Sequence, residues 1–302
     1  MVRAAPLLLL GALALSLAGC ARNEATRMAG LYAPRPSALA ETKGSEAIEG
    51  EKVALLGFQP DASGADAFPL RQSFRPSFTS KLAGRTIAVS RISDIQLADK
   101  EVVLTFDDGP MPGKTLRILK ALDDYGVGAT FLMVGRMADA YPKIAQAVAE
   151  RGHTIGTHTE SHANLRSLDD EAAMAEIRAG QISVAEALQP IGREPAPFFR
   201  FPYLADRPSL RQRIANQGVV AIDVDIDSKD YFHGAPSTVK ERTILDLEKH
   251  GRGIILFHDI HERTVDMLPD LLASLQARGF KVVRLVPGGA PLLAAAKSAP
   301  AI

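Results

Sequence analysis

From residue 96 onward, this 302-residue chain alternates short β-rich runs with amphipathic helical stretches, and no other feature constrains its fold as tightly. The β-rich runs fall at 102–106, 130–134, 154–157, 198–201, 219–224, 254–257 and 281–285. Helical periodicity marks 115–125, 138–151, 168–188, 209–217, 237–250 and 265–278. Ser167, three residues before Asp170, suits a helix N-cap. Gly126, Gly152, Gly218, Gly251 and Gly279 each follow a helical stretch, where a left-handed C-cap residue is wanted. Strands alternating with helices imply parallel pairing through right-handed crossovers. Such an α/β chain closes into a barrel or opens into a doubly wound sheet, and periodicity alone does not choose.

The unusual polar residues sit at one place in this pattern. Asp107 and Asp108 follow the first run, His158 and His162 the third, and Arg200 closes the fourth. Asp230 lies just past the fifth, and His258 directly follows the sixth. All are at C-terminal ends of parallel strands, the face on which barrels and open sheets alike build their sites.

Each residue also has a plainer reading. Asp107-Asp108-Gly109-Pro110 has the composition of a turn. Yet two adjacent carboxylates ending an apolar strand repel each other unless a cation is near. His158 and His162, four residues apart, can reach one ion; with a carboxylate they form the three-ligand open site of a catalytic metal. Arg200 and Asp230 read equally well as a structural ion pair. His258 ends an apolar strand, where an imidazole is poised for acid–base work. His153, His233 and His250 are expected at surface or loop positions, and His261 is close enough to His258 to line the cleft.

The N-terminus is expected to direct the chain out of the cytoplasm. Arg3 precedes an apolar stretch at 6–17 that is short for a membrane span and ends in small residues. Leu17-Ala18-Gly19-Cys20 resembles the bacterial lipobox, and Cys20 is the sole cysteine. The expected organisation is a lipoprotein signal at 1–19, a tether at 20–95, a folded domain at 96–287 and a flexible tail at 288–302. Apolar runs at 53–58 and 86–92 mark strands that could dock on the domain. The expected location is a cell membrane or outer membrane, facing the periplasm or exterior, through lipid on Cys20. Lys plus Arg equal Asp plus Glu at 35 each, which argues against a nucleic-acid partner. No protein partner is implied.

Five segments in order resemble the polysaccharide deacetylase family, also called NodB-homology or carbohydrate esterase family 4 proteins. They are Thr105-Phe106-Asp107-Asp108-Gly109-Pro110, His158-Thr159-Glu160-Ser161-His162, Arg200-Phe201-Pro202-Tyr203, Asp227-Ser228-Lys229-Asp230-Tyr231 and Leu256-Phe257-His258-Asp259. The resemblance implies a distorted, incomplete (β/α) barrel holding a divalent metal. Zinc is foremost, with cobalt, nickel or manganese as other candidates. It implies Asp108, His158 and His162 as metal ligands, Asp107 as general base held by Arg200, and His258 as general acid tuned by Asp230. It places the oxyanion near the backbone N–H of Tyr203. The fourth segment often ends in Trp in this family; here Tyr231 stands there, and the chain has no Trp. The implied reaction is deacetylation of N-acetylhexosamine units in an envelope glycan such as peptidoglycan, or a chitin-like polymer. The rivals are an O-acetyl esterase on the same site and a non-catalytic glycan-binding lipoprotein.

Overall fold

A computed structural model describes residues 80–289. The lipobox with Cys20, the run at 53–58 and the tail from 290 lie outside the described residues.

The chain order is β1 (Ala83–Val89), β2 (Glu101–Asp107), α1 (Thr115–Asp124), β3 (Thr130–Met133), α2 (Gly135–Ala140), α3 (Pro142–Glu150), β4 (Thr154–Thr157), α4 (Asp170–Leu188), β5 (Phe198–Phe199), α5 (Pro208–Asn216), β6 (Val220–Ala221), β7 (Ile226–Asp227), α6 (Pro236–His250), β8 (Gly253–His258), α7 (Glu262–Ala277) and β9 (Lys281–Pro287). Every strand pairing is parallel. Pairing runs β6-β5-β4-β3-β2-β8-β7, and β6 and β7 are not hydrogen-bonded to each other. This is an arc open at one seam, as an incomplete barrel requires. Val103, Leu132, Phe198, Val220 and Ile254, from five strands, share one buried cluster, so the sheet must curl around them.

The folded region reaches further upstream than residue 96. β1 pairs with β9 from Ala83 to Val89, and Ile87 and Val89 join Val283 and Leu285 in that inner cluster. β9 in turn meets only the first two residues of β2. These two strands thus fill the N-terminal end of the arc and leave its C-terminal end open.

Local differences from expectation have local causes. The stretch 138–151 forms two helices, α2 and α3, because Pro142 cannot continue a helix but is suited to starting one. Asp169, not Ser167, caps α4: its side chain accepts from the N–H of Ala172, while Ser167 sits in a preceding 3-10 turn. The five glycines expected as C-caps all have positive φ. The runs at 198–201 and 219–224 shrink to two residues each in β5 and β6, and β7 forms beyond the second run, so Arg200 and Asp230 stand on short connections just past strand ends.

Candidate active site

Strand alternation aims the polar residues. On β2, Leu104 and Phe106 pack outward beneath the helices, Phe106 stacking on Phe131 and Phe257 at 5.1 and 5.6 Å. Val103 points into the arc, and period two puts Asp107 on Val103's side. On β8, Ile255 and Phe257 face the helices and Ile254 faces inward, so His258 faces inward too. β2 and β8 pair in register with Asp107 opposite His258. His158 follows β4 in step with Gly156, and Arg200 follows β5 in step with inward Phe198. Gly156 is glycine because a Cβ would come within 2.6 Å of the Phe198 carbonyl oxygen.

Three potential metal donors converge from two loops. His158 Nε2 and His162 Nε2 lie 3.5 and 3.3 Å from Asp108 Oδ1. Asp108 Oδ1 is buried and has no hydrogen-bond partner among the described residues. His158 Nδ1 lies 2.7 Å from the Arg200 carbonyl, which makes Nδ1 the donor and leaves the Nε2 lone pair facing Asp108. Burial, aided by His162, pushes the His158 pKa down to about 3, so it is a neutral ligand. Burial alone would raise Asp108, but the surrounding histidines hold it below the usual carboxylate range. Tetrahedral zinc with bonds of about 2.0–2.1 Å separates its ligand atoms by about 3.3–3.4 Å, so these residues fit such an ion.

Beside this trio lie two more ionisable side chains, Asp107 and His258, each held by a buried partner. Arg200 is 1% exposed; its Nη1 donates to Asp107 Oδ1 and Thr105 Oγ1, both at 2.7 Å. Its Nε donates to the carbonyl of Ile222, a further tie to the inner wall. Burial raises Asp107 to about 6 despite the opposing charges of Arg200 and His258. Asp230 is wholly buried and grips His258 twice: Oδ1 lies 2.7 Å from Nδ1, and Oδ2 accepts from the backbone N–H at 2.8 Å. Thr264 Oγ1 also donates to Asp230 Oδ2. Burial opposes charge on His258, but the Asp230 carboxylate overrides it and carries the pKa to about 10. His261 lies 5.7 Å from His258, ring to ring. With Asp230 and His258 it forms a second trio of possible donors, yet both Asp230 oxygens are already engaged.

Aromatic rings form the rim. Tyr203, 61% exposed, meets the His162 ring edge-on at 4.6 Å. Tyr231 stands perpendicular to His258 at 5.5 Å, and its hydroxyl donates to Asp227 Oδ2. Exposed Leu204 and Phe232 extend these two walls and escaped the sequence reading, which had no signal to separate them from ordinary surface residues. Asp108, Thr159, His162, Tyr203, Leu204 and Lys229 all have positive φ, six of the seven such non-glycine residues described. Strain of this kind, about 1–3 kcal/mol per residue, persists only where the surroundings over-determine the backbone. Helix α4 supplies part of that constraint. Glu176 Oε2 accepts from the N–H and hydroxyl of Ser161, and Gly180 lies against the Thr159 backbone so closely that a Cβ would meet it at 2.4 Å.

The remaining histidines divide. His233 and His250 are exposed. His153, expected at a surface or loop position, does lie in the connection before β4 but is 5% exposed. Its Nδ1 accepts from the N–H of Ala129, and its ring packs edge-on against Phe131, so burial pushes its pKa down to about 3.

Comparison with known proteins points to one family. Residues 94–222 match the family model described as polysaccharide deacetylase. A chitooligosaccharide deacetylase of Azorhizobium caulinodans is 32% identical over 197 residues, covering 59% of this chain and 90% of the relative. The chain belongs to the polysaccharide deacetylase family. Within the family, a probable peptidoglycan-N-acetylglucosamine deacetylase of Arthroderma benhamiae is 33% identical over 189 residues, 60% of this chain and 42% of that protein. The structure of a peptidoglycan deacetylase of Bdellovibrio bacteriovorus superposes with a TM-score of 0.60 at 32% identity, covering 72% of this chain and 59% of the other. The chain spans about half the length of several curated family members it matches.

Proposed function

We propose that the protein is a metal-dependent hydrolase that removes acetyl groups from N-acetylhexosamine units of an envelope glycan. One observation carries this reading: the orphaned Asp108 Oδ1, buried between two imidazole Nε2 atoms, lies beside a base of pKa about 6 whose cross-strand neighbour is a cationic imidazole. The names borne by the relatives, peptidoglycan and chitooligosaccharide deacetylase, support the substrate class.

Asp108, His158 and His162 would hold the divalent ion, with zinc favoured by the donor set and its spacing. Such an ion, when bound, polarises the acetamide carbonyl and lowers the pKa of a nearby water. Asp107 takes a proton from the attacking water at Oδ2, because Oδ1 is held by Arg200. Its pKa of about 6 leaves it ionised at neutral pH yet basic enough to accept. Water oxygen bonds to the acetyl carbon, and the backbone N–H of Tyr203 is assigned to the developing oxyanion. His258 Nε2 then protonates the amine nitrogen as the C–N bond breaks, releasing acetate and a free amine. Nδ1 stays tied to Asp230, which keeps the ring charged until that moment. Tyr203 and Tyr231 offer faces on which sugar rings stack.

The test is acetate release from N-acetylglucosamine oligomers, peptidoglycan and O-acetylated polysaccharide, with and without added zinc. Release from N-acetylated polymers is expected. Release from O-acetyl esters alone would make the esterase reading correct. Asp107→Asn should lose about 10²–10⁴-fold in kcat while still binding zinc; wild-type activity in that variant would remove Asp107 as base and favour neither hydrolase mechanism.

The export signal and lipid anchor on Cys20 belong to the same proposal and rest on Leu17-Ala18-Gly19-Cys20. Metabolic fatty-acid labelling that is lost in Cys20→Ala is the expected result, and unlabelled wild-type protein overturns it.

A further inference from the structure

Asp259 is a buried carboxylate that the mechanism above does not use. It follows His258, is 1% exposed, and its carboxylate lies over Gly109, where an added Cβ would come within 2.1 Å of Oδ2 and 2.2 Å of Oδ1. Its Oδ2 accepts a 2.6 Å hydrogen bond from Thr115 Oγ1. Thr115 Oγ1 in turn accepts from the N–H of Met111 at 2.7 Å, so its single proton is committed to Asp259. The backbone N–H of Asp259 donates to the Asp107 carbonyl at 3.2 Å. These contacts bracket the segment from Asp107 to Thr115 at both ends and press on its middle. Inside the bracket is Asp108, held at φ 77, a conformation that a free loop would abandon.

We propose that Asp259 is a positioning residue that locks the loop from Asp107 to Thr115, through Thr115 and through the space left by Gly109, so that Asp108 faces His158 and His162. The proposal rests on the metal-site reading given above. The one side-chain hydrogen bond of Asp259 among the described residues goes to Thr115, and none to the donor trio, so it acts through the backbone it clamps. Oδ1 has no hydrogen-bond partner among the described residues, so the clamp works through one oxygen and through volume. Burial raises the Asp259 pKa to about 7, against the Thr115 hydrogen bond and with help from Asp108 and Asp107. Asparagine keeps the volume over Gly109 and an oxygen to accept from Thr115 Oγ1, so it is a fair substitute for the clamp.

The experiment uses four variants of the full chain, Asp259→Ala, Asp259→Asn, Thr115→Val and the Ala/Val double. For each, zinc affinity of the metal-stripped protein is measured by chelator competition, alongside kcat, KM and the melting temperature. A direct hydrogen-bond partner of a metal ligand is worth about 10–100-fold in metal affinity or activity; Asp259 acts one step further out, so Asp259→Ala should lose about 10-fold in zinc affinity and kcat with KM unchanged. Asp259→Asn should restore both to within a few-fold of wild type. Thr115→Val should weaken zinc binding less than Asp259→Ala, and should add nothing in its background, because both changes break the same link. Wild-type zinc affinity in Asp259→Ala overturns the proposal, as does full additivity with Thr115→Val. If Asp259→Ala does not fold, Thr115→Val decides: unaltered zinc affinity there is equally fatal. Wild-type protein that binds no zinc at all overturns the metal-site reading itself, a result distinct from failure of the clamp.

Discussion

Replacing Asp230 with Asn tests the acid–base pair through its electrostatics. Asp230 Oδ1 sits 2.7 Å from His258 Nδ1, and Oδ2 accepts from His258 N–H and Thr264 Oγ1. In Asp230→Asn the amide oxygen is best kept on the two donors at Oδ2. The amide N–H₂ then faces Nδ1, which must present a lone pair, so the neutral imidazole is favoured. Without the carboxylate, burial is the main remaining influence, and the His258 pKa should fall from about 10 to no higher than its ordinary 6.5. That drop corresponds to about 5 kcal/mol of lost preference for the charged ring. At pH 8 the protonated fraction would fall from nearly complete to about 3%, roughly a 30-fold loss of competent acid. The assay is kcat/KM for acetate release from an N-acetylglucosamine oligomer between pH 5 and 10. In wild type the acidic limb reports Asp107 losing its proton at about 6 or below and the alkaline limb reports His258 at about 10 or below, since a bound dication lowers both. In Asp230→Asn the alkaline limb should move toward acid by several pH units while the acidic limb stays near its place. An alkaline limb that does not move would refute the assignment of His258 as an acid held charged by Asp230.

Three further outcomes follow from the same geometry. Chelation should abolish acetate release and lower the melting temperature, and zinc should restore both; activity that survives complete metal removal would refute the donor trio. Gly180→Ala should distort the loop that carries His158 and His162, because the new Cβ meets the Thr159 backbone at 2.4 Å. A loss of about 1–3 kcal/mol in denaturant unfolding, with weaker zinc binding, is expected. Arg200→Met leaves Asp107 buried without its partner at 2.7 Å, so about 3–5 kcal/mol of stability should be lost above the Asp107 pKa and partly regained as pH falls and the carboxyl protonates.

Much of the site was legible because it follows from short periods. Once 102–106 and 254–257 are read as strands, the period of two puts Asp107 with Val103 and His258 with Ile254, and all four face inward. Crossover logic then brings the strand ends to one mouth. What escaped depends on approaches between distant segments. Ile87 and Val89 reach the inner cluster only because β1 pairs with β9, almost two hundred residues later in the chain. His153 looked like a polar loop residue, yet it fills a gap beside Phe131. Gly180 reads as a weak point in a helix until the Thr159 backbone is seen against it. Asp259 stood inside a recognised motif, but its value lies in the missing Cβ of Gly109, which no pattern along the chain reveals. Asp169 outcompeted Ser167 as a cap because caps are decided by backbone angles that composition only biases.

The pairing of Asp107 with His258 has a consequence for how such a protein can change over time. The two residues proposed to carry protons sit on hydrogen-bonded neighbours, so their separation is a property of the sheet. A slip of one residue in either strand would turn that strand's member of the pair away from the cleft. The rings proposed to meet a sugar, Tyr203 and Tyr231, sit instead on segments beyond their strands. Loops can lengthen, shorten or trade residues without disturbing a ladder. Variation in what is bound is thereby uncoupled from the step that moves protons, and the taste for one glycan over another can drift while the chemistry stays put.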